Sequence, residues 1–173
     1  KRKRLLSQAD THFRTTAYLA KAMNFISADD IPDKVWEELA AACFRCGACN
    51  LLCPVCTCFT VEDHGNVDGT YTRCRLWDSC QYAGFTREAS GHNPRPTFGS
   101  RMQRRFFHKV GYQYLMRDGT HGCVGCGRCI TGCLSKLDLP TVVKHIRRAM
   151  HDYLQPEEKK ALASSSDLAR SFS

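Results

Sequence analysis

Two runs of cysteine constrain what this chain folds around. CFRCGACNLLCP occupies 43–54 and CVGCGRCITGCL occupies 123–134, and both carry the spacing C-x2-C-x2-C-x3-C. A C-x2-C pair alone serves structural zinc, dithiol redox centres and iron-sulfur clusters alike. Four cysteines packed this tightly, twice, are more selective. Zinc takes four ligands at tetrahedral corners, usually two from each of two separated knuckles, whereas three close cysteines wrap three iron corners of a cube. The fourth, three residues further on, points away on the emerging helix and serves the cube built on the other run.

The expected ligand sets therefore cross. Cluster one takes Cys43, Cys46, Cys49 and Cys133, and cluster two takes Cys53, Cys123, Cys126 and Cys129. Gly47, Gly125 and Gly127 let the backbone curl close to the sulfurs and offer them N–H groups. Arg128 stands between two cluster cysteines, where its cation either favours a reduced cube or is a solvated loop charge. Pro54 follows Cys53 as in the familiar C-P ending of such runs, but Leu134 follows Cys133. Two 4Fe-4S cubes are the leading expectation, with zinc and disulfides as the competing readings.

Four further cysteines, Cys56, Cys58, Cys74 and Cys80, lie between the runs. They form a third metal site, or small thiols packed behind the clusters, or a redox disulfide. Neighbouring side chains of a C-x-C pair diverge on a strand, so a shared ligand role for Cys56 and Cys58 needs a turn.

Cysteine usage also bears on compartment. Eight of the 12 cysteines sit in the two runs, unlike the scattered cysteines of a secreted disulfide scaffold, so a reducing cytoplasm is expected. The formal charge of +8 counts thiols as neutral; two cubes at about −2 each leave about +4, which weakens any inference of nucleic-acid binding. The longest apolar run, around 51–59, is far short of the roughly 20 residues of a membrane span.

With 173 residues and 43% hydrophobic content, one main domain with appendages is expected. Residues 1–30 read as a basic arm and a helix over 12–26, with Phe13, Ala17, Tyr18, Ala20 and Phe25 toward one side; the absent initiator Met suggests the remnant of a longer chain. Residues 31–155 read as the dicluster domain and 156–173 as a mobile or partner-bound tail. Within the domain a helix starts at Pro32 and Asp33, with Val35, Trp36 and Leu39 as its apolar stripe. A second is expected over 100–116, where Met102, Phe106, Val110 and Tyr114 recur every four residues beside Arg101, Arg105 and Lys109. That basic stripe is a solvated face or docks an acidic partner. A third places Leu139, Val142, Val143, Ile146, Met150 and Tyr153 on one face and stops by Pro156. The fold expected is mainly α: a helical ferredoxin-like domain with two cysteine-rich cluster-binding loops and an irregular middle insertion.

The motifs CGACNLLCPVCTCF, WDSCQYAGF, GHNPRP, RRFFHK and CVGCGRCITGC, in order over about 33–150, resemble the iron-sulfur beta subunit of soluble sulfhydrogenase-type nickel-iron hydrogenases. They are also similar to the A subunit of anaerobic sulfite reductase. The resemblance implies an electron relay within a hetero-oligomer, between a flavin- and NAD(P)-binding subunit and one carrying the catalytic metal. Two other classes compete: a basic zinc-knuckle module binding nucleic acid, and a cysteine-dependent enzyme of sulfur or disulfide chemistry. The runs lack the interleaved histidines and aromatic platforms of the former. No hydrolytic triad, phosphate loop or carboxylate pair marks a substrate site.

Overall fold

A computed structural model describes residues 1–11, 19–114 and 122–153. The helices are α1 (Arg2–Asp10), α2 (Leu19–Ala28), α3 (Asp33–Ala41), α4 (Ala48–Leu51), α5 (Phe98–Val110), α6 (Arg128–Gly132) and α7 (Leu139–Tyr153). Strands β1 (Phe59–Gly65) and β2 (Tyr71–Trp77) lie between α4 and α5.

The core forms where the amphipathic helices α2, α3, α5 and α7 meet. Ala22, Met23 and Ile26 enter from α2, Val35, Trp36 and Leu39 from α3, and Met102, Phe106 and Val110 from α5. The α7 face contributes Leu139, Val142, Val143, Ile146 and Met150. Trp36 and Phe106 stack with ring centroids 6.2 Å apart, which ties α3 to α5. Cys43, Cys123, Cys129 and Cys133 pack against this cluster, so the helical core is the floor on which both cysteine runs rest. Among the described residues no helix is long and apolar enough to cross a membrane.

The expectation of a mainly α chain with an irregular middle is overturned by an antiparallel hairpin. β1 and β2 pair from Phe59↔Trp77 to Gly65↔Tyr71. Asp68 Oδ1 accepts from the Thr70 N–H at 3.0 Å and Gly69 takes φ +82°, so the Asp-Gly turn folds the two β-rich stretches onto each other. The hairpin is exposed along both strands except at Cys74, so it has no buried face and therefore no apolar alternation to betray it.

Smaller corrections follow from packing. In α2 the buried residues are Ala22, Met23 and Ile26, while Ala20 is exposed; residues 12–18, and with them Phe13, Ala17 and Tyr18, lie outside the described residues. Helix α5 stops at Val110 because Gly111 turns extended, with φ −70° and ψ 144°; 115 and 116 lie outside the described residues. Tyr153 is exposed at the end of α7, and Pro156 and the tail fall outside the described residues. The stripe Arg101, Arg105 and Lys109 is not a solvated face: Arg101 is 2% exposed, beneath the carbonyls of Gln81, Arg95 and Pro96, Arg105 is 6% exposed beside the cysteine loops, and Lys109 is half-buried there.

Candidate metal centre

The two cysteine runs fold alike. After the second cysteine of each, a glycine caps a one-turn helix in the left-handed region: Gly47 with φ 72° before α4, and Gly127 with φ 75° before α6. The residue before that cysteine is left-handed too, Arg45 at φ 59° and Gly125 at φ 65°. This alternation bends the loop so that its N–H groups turn toward sulfur. The Arg45 N–H donates to Cys43 Sγ at 3.4 Å, and the Gly125 N–H donates to Cys123 at the equivalent position. Helices α4 and α6 lie against each other, which brings the two loops together.

Two cavities open at this junction. One, of about 260 Å³, is edged by Cys53, Cys123, Cys126 and Cys129, and Cys49 also reaches it. The other, narrower, is edged by Cys43, Cys46, Cys49 and Cys133. Each thus gathers three cysteines of one run and the last cysteine of the other. Cys49 and Arg105 line both, so they form the shared wall.

Among the described residues no group of three or more His, Cys, Asp or Glu converges closely enough to hold a single metal ion. One zinc ion draws its sulfurs to about 2.3 Å from a common point, whereas a cube takes thiolates that stand apart around four iron corners. Donor type, number and distribution around each cavity fit a cube.

Charge fits as well. Arg105 is buried, donates through Nη1 to the Leu137 carbonyl at 3.1 Å, and among the described residues has no carboxylate in ion-pair contact. A cation so buried needs negative charge nearby, and thiolate-ligated cubes supply it. Lys109 Nζ lies 3.3 Å from Cys53 Sγ. Burial opposes its charge, yet contact with Cys56 and Cys53 outweighs that and holds the ammonium above its usual range. Burial likewise opposes ionisation of Cys53, but the Val55 N–H and Lys109 carry its thiol below the ordinary range. Burial pushes Cys49 up to about 11 despite Arg105, and raises Cys123. The Leu137 N–H donates to Cys133 Sγ at 3.2 Å, so each run has N–H donors to both its first and its last cysteine.

Of the other candidates, Gly47 lines the narrower cavity and Gly125 and Gly127 line the wider one, while the rest are dispersed. Gly47 sits beneath the Tyr82 ring, whose hydroxyl donates to the Cys46 carbonyl at 3.1 Å. A Cβ added at Gly125 or Gly127 would meet no protein atom within 4 Å. Arg128 is exposed and lines neither cavity; the cations there are Arg45, Arg105 and Lys109. Cys56 lies beside Cys53 and Lys109, its thiol raised by burial. Cys58 and Cys80 are hydrogen-bond partners, a contact that carries Cys80 down to about 6 and Cys58 up. Cys74 stands on β2 opposite Glu62. Among the described residues these four form no common group.

Sequence reasoning missed Asn50, Arg105 and Lys109 as site residues. Asn50 is 2% exposed and its amide reaches sulfur on two segments. A polar residue directly after a run cysteine was its one visible signal. Arg105 and Lys109 were visible only as members of a helix lying between the two runs in sequence.

A family model described as a 4Fe-4S dicluster domain matches residues 42–137. Sulfhydrogenase 2 subunit beta of Pyrococcus furiosus is 33% identical over 135 residues, an alignment covering 75% of this chain and 40% of that protein. The chain thus spans less than half the length of this relative. No solved structure matches.

Proposed function

The chain belongs to the 4Fe-4S dicluster domain family, and from that premise we propose that it is a non-catalytic electron-transfer subunit carrying two 4Fe-4S clusters. The proposed ligands are Cys43, Cys46, Cys49 and Cys133 for one, and Cys53, Cys123, Cys126 and Cys129 for the other, within a dicluster unit over 31–155. The observation that carries this reading is the pair of adjoining cavities, each edged by three cysteines of one run and the last of the other. When bound, each cluster supplies one-electron redox chemistry.

The protein's own residues then tune and connect. N–H groups of Arg45, Val55, Gly125 and Leu137 donate to the ligand sulfurs, which raises cluster potentials. Arg105 and Lys109 stabilise the added negative charge of reduction from inside the protein, where screening is weak. The shared wall at Cys49 and Arg105 keeps the two sites adjacent, as electron passage between them requires.

The working setting proposed is a cytoplasmic hetero-oligomer, with electrons passing between a flavin- and NAD(P)-binding subunit and a catalytic metal-containing subunit. Similarity to a sulfhydrogenase beta subunit supports it. So do the exposed apolar side chains Phe44, Val124 and Leu134 beside the cluster loops, which offer a partner subunit a contact surface at the electron entry or exit. The test is anaerobic reduction of the assembled chain by a low-potential one-electron dye. About two unpaired spins per chain are expected by paramagnetic resonance; a chain that takes up no electrons contradicts the reading.

A further inference from the structure

Cys58 and Cys80 belong to neither proposed ligand set, yet one buried amide, that of Asn50, reaches both of their sulfurs. They come from opposite feet of the hairpin: Cys58 immediately precedes β1, and Cys80 stands three residues beyond β2. The Asp78 N–H donates to the Cys58 carbonyl at 3.0 Å and holds those feet together. Asn50 completes the arrangement. Its Nδ2 reaches Cys80 Sγ at 2.9 Å and Cys58 Sγ at 3.8 Å, while its Oδ1 accepts from Cys49 Sγ at 3.4 Å. Gln81 Nε2 adds a contact to Cys80 Sγ at 3.7 Å. One buried amide therefore touches both thiols and a cysteine of the shared cavity wall. Among the described residues no third His, Cys, Asp or Glu joins the pair in a metal-holding group.

Two sulfurs gathered on one amide at the paired feet of a hairpin are placed to be joined, and a path through that side chain leads from them to Cys49. We propose that Cys58 and Cys80 form a reversible dithiol–disulfide couple that exchanges electrons with the cluster site at Cys49. The proposal rests on the cluster reading above. On reduction the S–S bond breaks, and each sulfur takes one electron and one proton to become a thiol. The two electrons arrive singly, one from each reduced cluster, and the protons come from solvent at the half-buried Cys58. The reverse step returns two electrons and two protons. The chain thereby holds a two-electron store beside its one-electron carriers. The oxidised form also ties the feet of a hairpin that packs little apolar surface of its own.

The test uses the full-length protein, assembled anaerobically with iron and sulfide, equilibrated in glutathione buffers of graded poise, quenched with a thiol alkylator and digested. Expected is a peptide pair joined through Cys58 and Cys80, whose fraction falls with the slope of a two-electron couple at unchanged iron content. In reductive titration the oxidised wild type takes up about two more electron equivalents than Cys58→Ser or Cys80→Ser. Hydrogen exchange of the β1 and β2 amides slows in the oxidised form. Free alkylation of both cysteines across the whole series overturns the proposal while leaving the cluster reading intact. Loss of iron or zinc from Cys58→Ser also overturns it, because the pair would then be metal ligands. A wild-type chain that binds no iron overturns both readings.

Discussion

Arg105 Nη1 donates to the Leu137 carbonyl at 3.1 Å, and this contact anchors a buried cation in the wall shared by the two cysteine cavities. Replacing Arg105 with Gln removes that charge while leaving every ligand cysteine in place. A unit charge within roughly 10 Å, at an effective dielectric of about 20, is worth on the order of 1–2 kcal/mol. Both cluster midpoints should therefore fall by about 50–90 mV in a paramagnetic resonance redox titration, with iron content unchanged. Arg105→Lys, which keeps the charge, should recover part of the shift. Unmoved midpoints in Arg105→Gln would show that the cation does not act on the clusters.

Gly47 and Gly127 occupy equivalent left-handed positions, but only Gly47 lies beneath the Tyr82 ring. A left-handed non-glycine residue costs roughly 1–2 kcal/mol. Gly127→Ala should show that cost alone. Gly47→Ala should add displacement of Tyr82 and loss of its bond to the Cys46 carbonyl. Thermal melts of the two variants should rank Gly47→Ala as the more damaging, with loss of iron from one cluster before the other. Equal effects would count against the Tyr82 contact.

Phe106 is fully buried and stacked on Trp36. Phe106→Ala leaves a cavity at the junction of α3 and α5 and should destabilise by about 3–5 kcal/mol. A drop of roughly 6–20 °C in Tm is the expected outcome in a calorimetric scan.

Burial, with Arg104, Lys109 and Arg95 around it, lowers the His108 imidazole to about 4. The unfolded chain, with histidine near its usual value, binds the proton more readily between about 4 and 6.5. His108 therefore contributes stability above about pH 6.5 that is lost as pH falls toward 4. Denaturation of wild type and His108→Gln at pH 7 and pH 4.5 should show the steeper acid loss in wild type; parallel losses would contradict this.

Much of the site was legible because cysteine spacing is itself a geometric code. C-x2-C-x2-C-x3-C, read with the left-handed tolerance of Gly47 and Gly127, anticipates both loops, and apolar periodicity anticipates the buried faces of α3 and α7. What escaped lies where residue type and environment disagree. Arg101 and Arg105 read as part of a solvated face or a docking stripe, yet carbonyl groups of Gln81, Arg95, Pro96 and Leu137 receive them inside. The hairpin escaped because neither face is buried, which leaves turn chemistry at Asp68-Gly69 as its main signal. Asn50 gave almost none, since its partners Cys58 and Cys80 are brought to it by the hairpin.

Metal and acid-labile sulfide analysis of anaerobically purified protein tests the two-cluster assignment most directly. About eight iron and eight sulfide per chain are expected, with loss of about half when Cys133 or Cys53 alone is changed to Ser. Zinc without iron in the wild-type chain would contradict it.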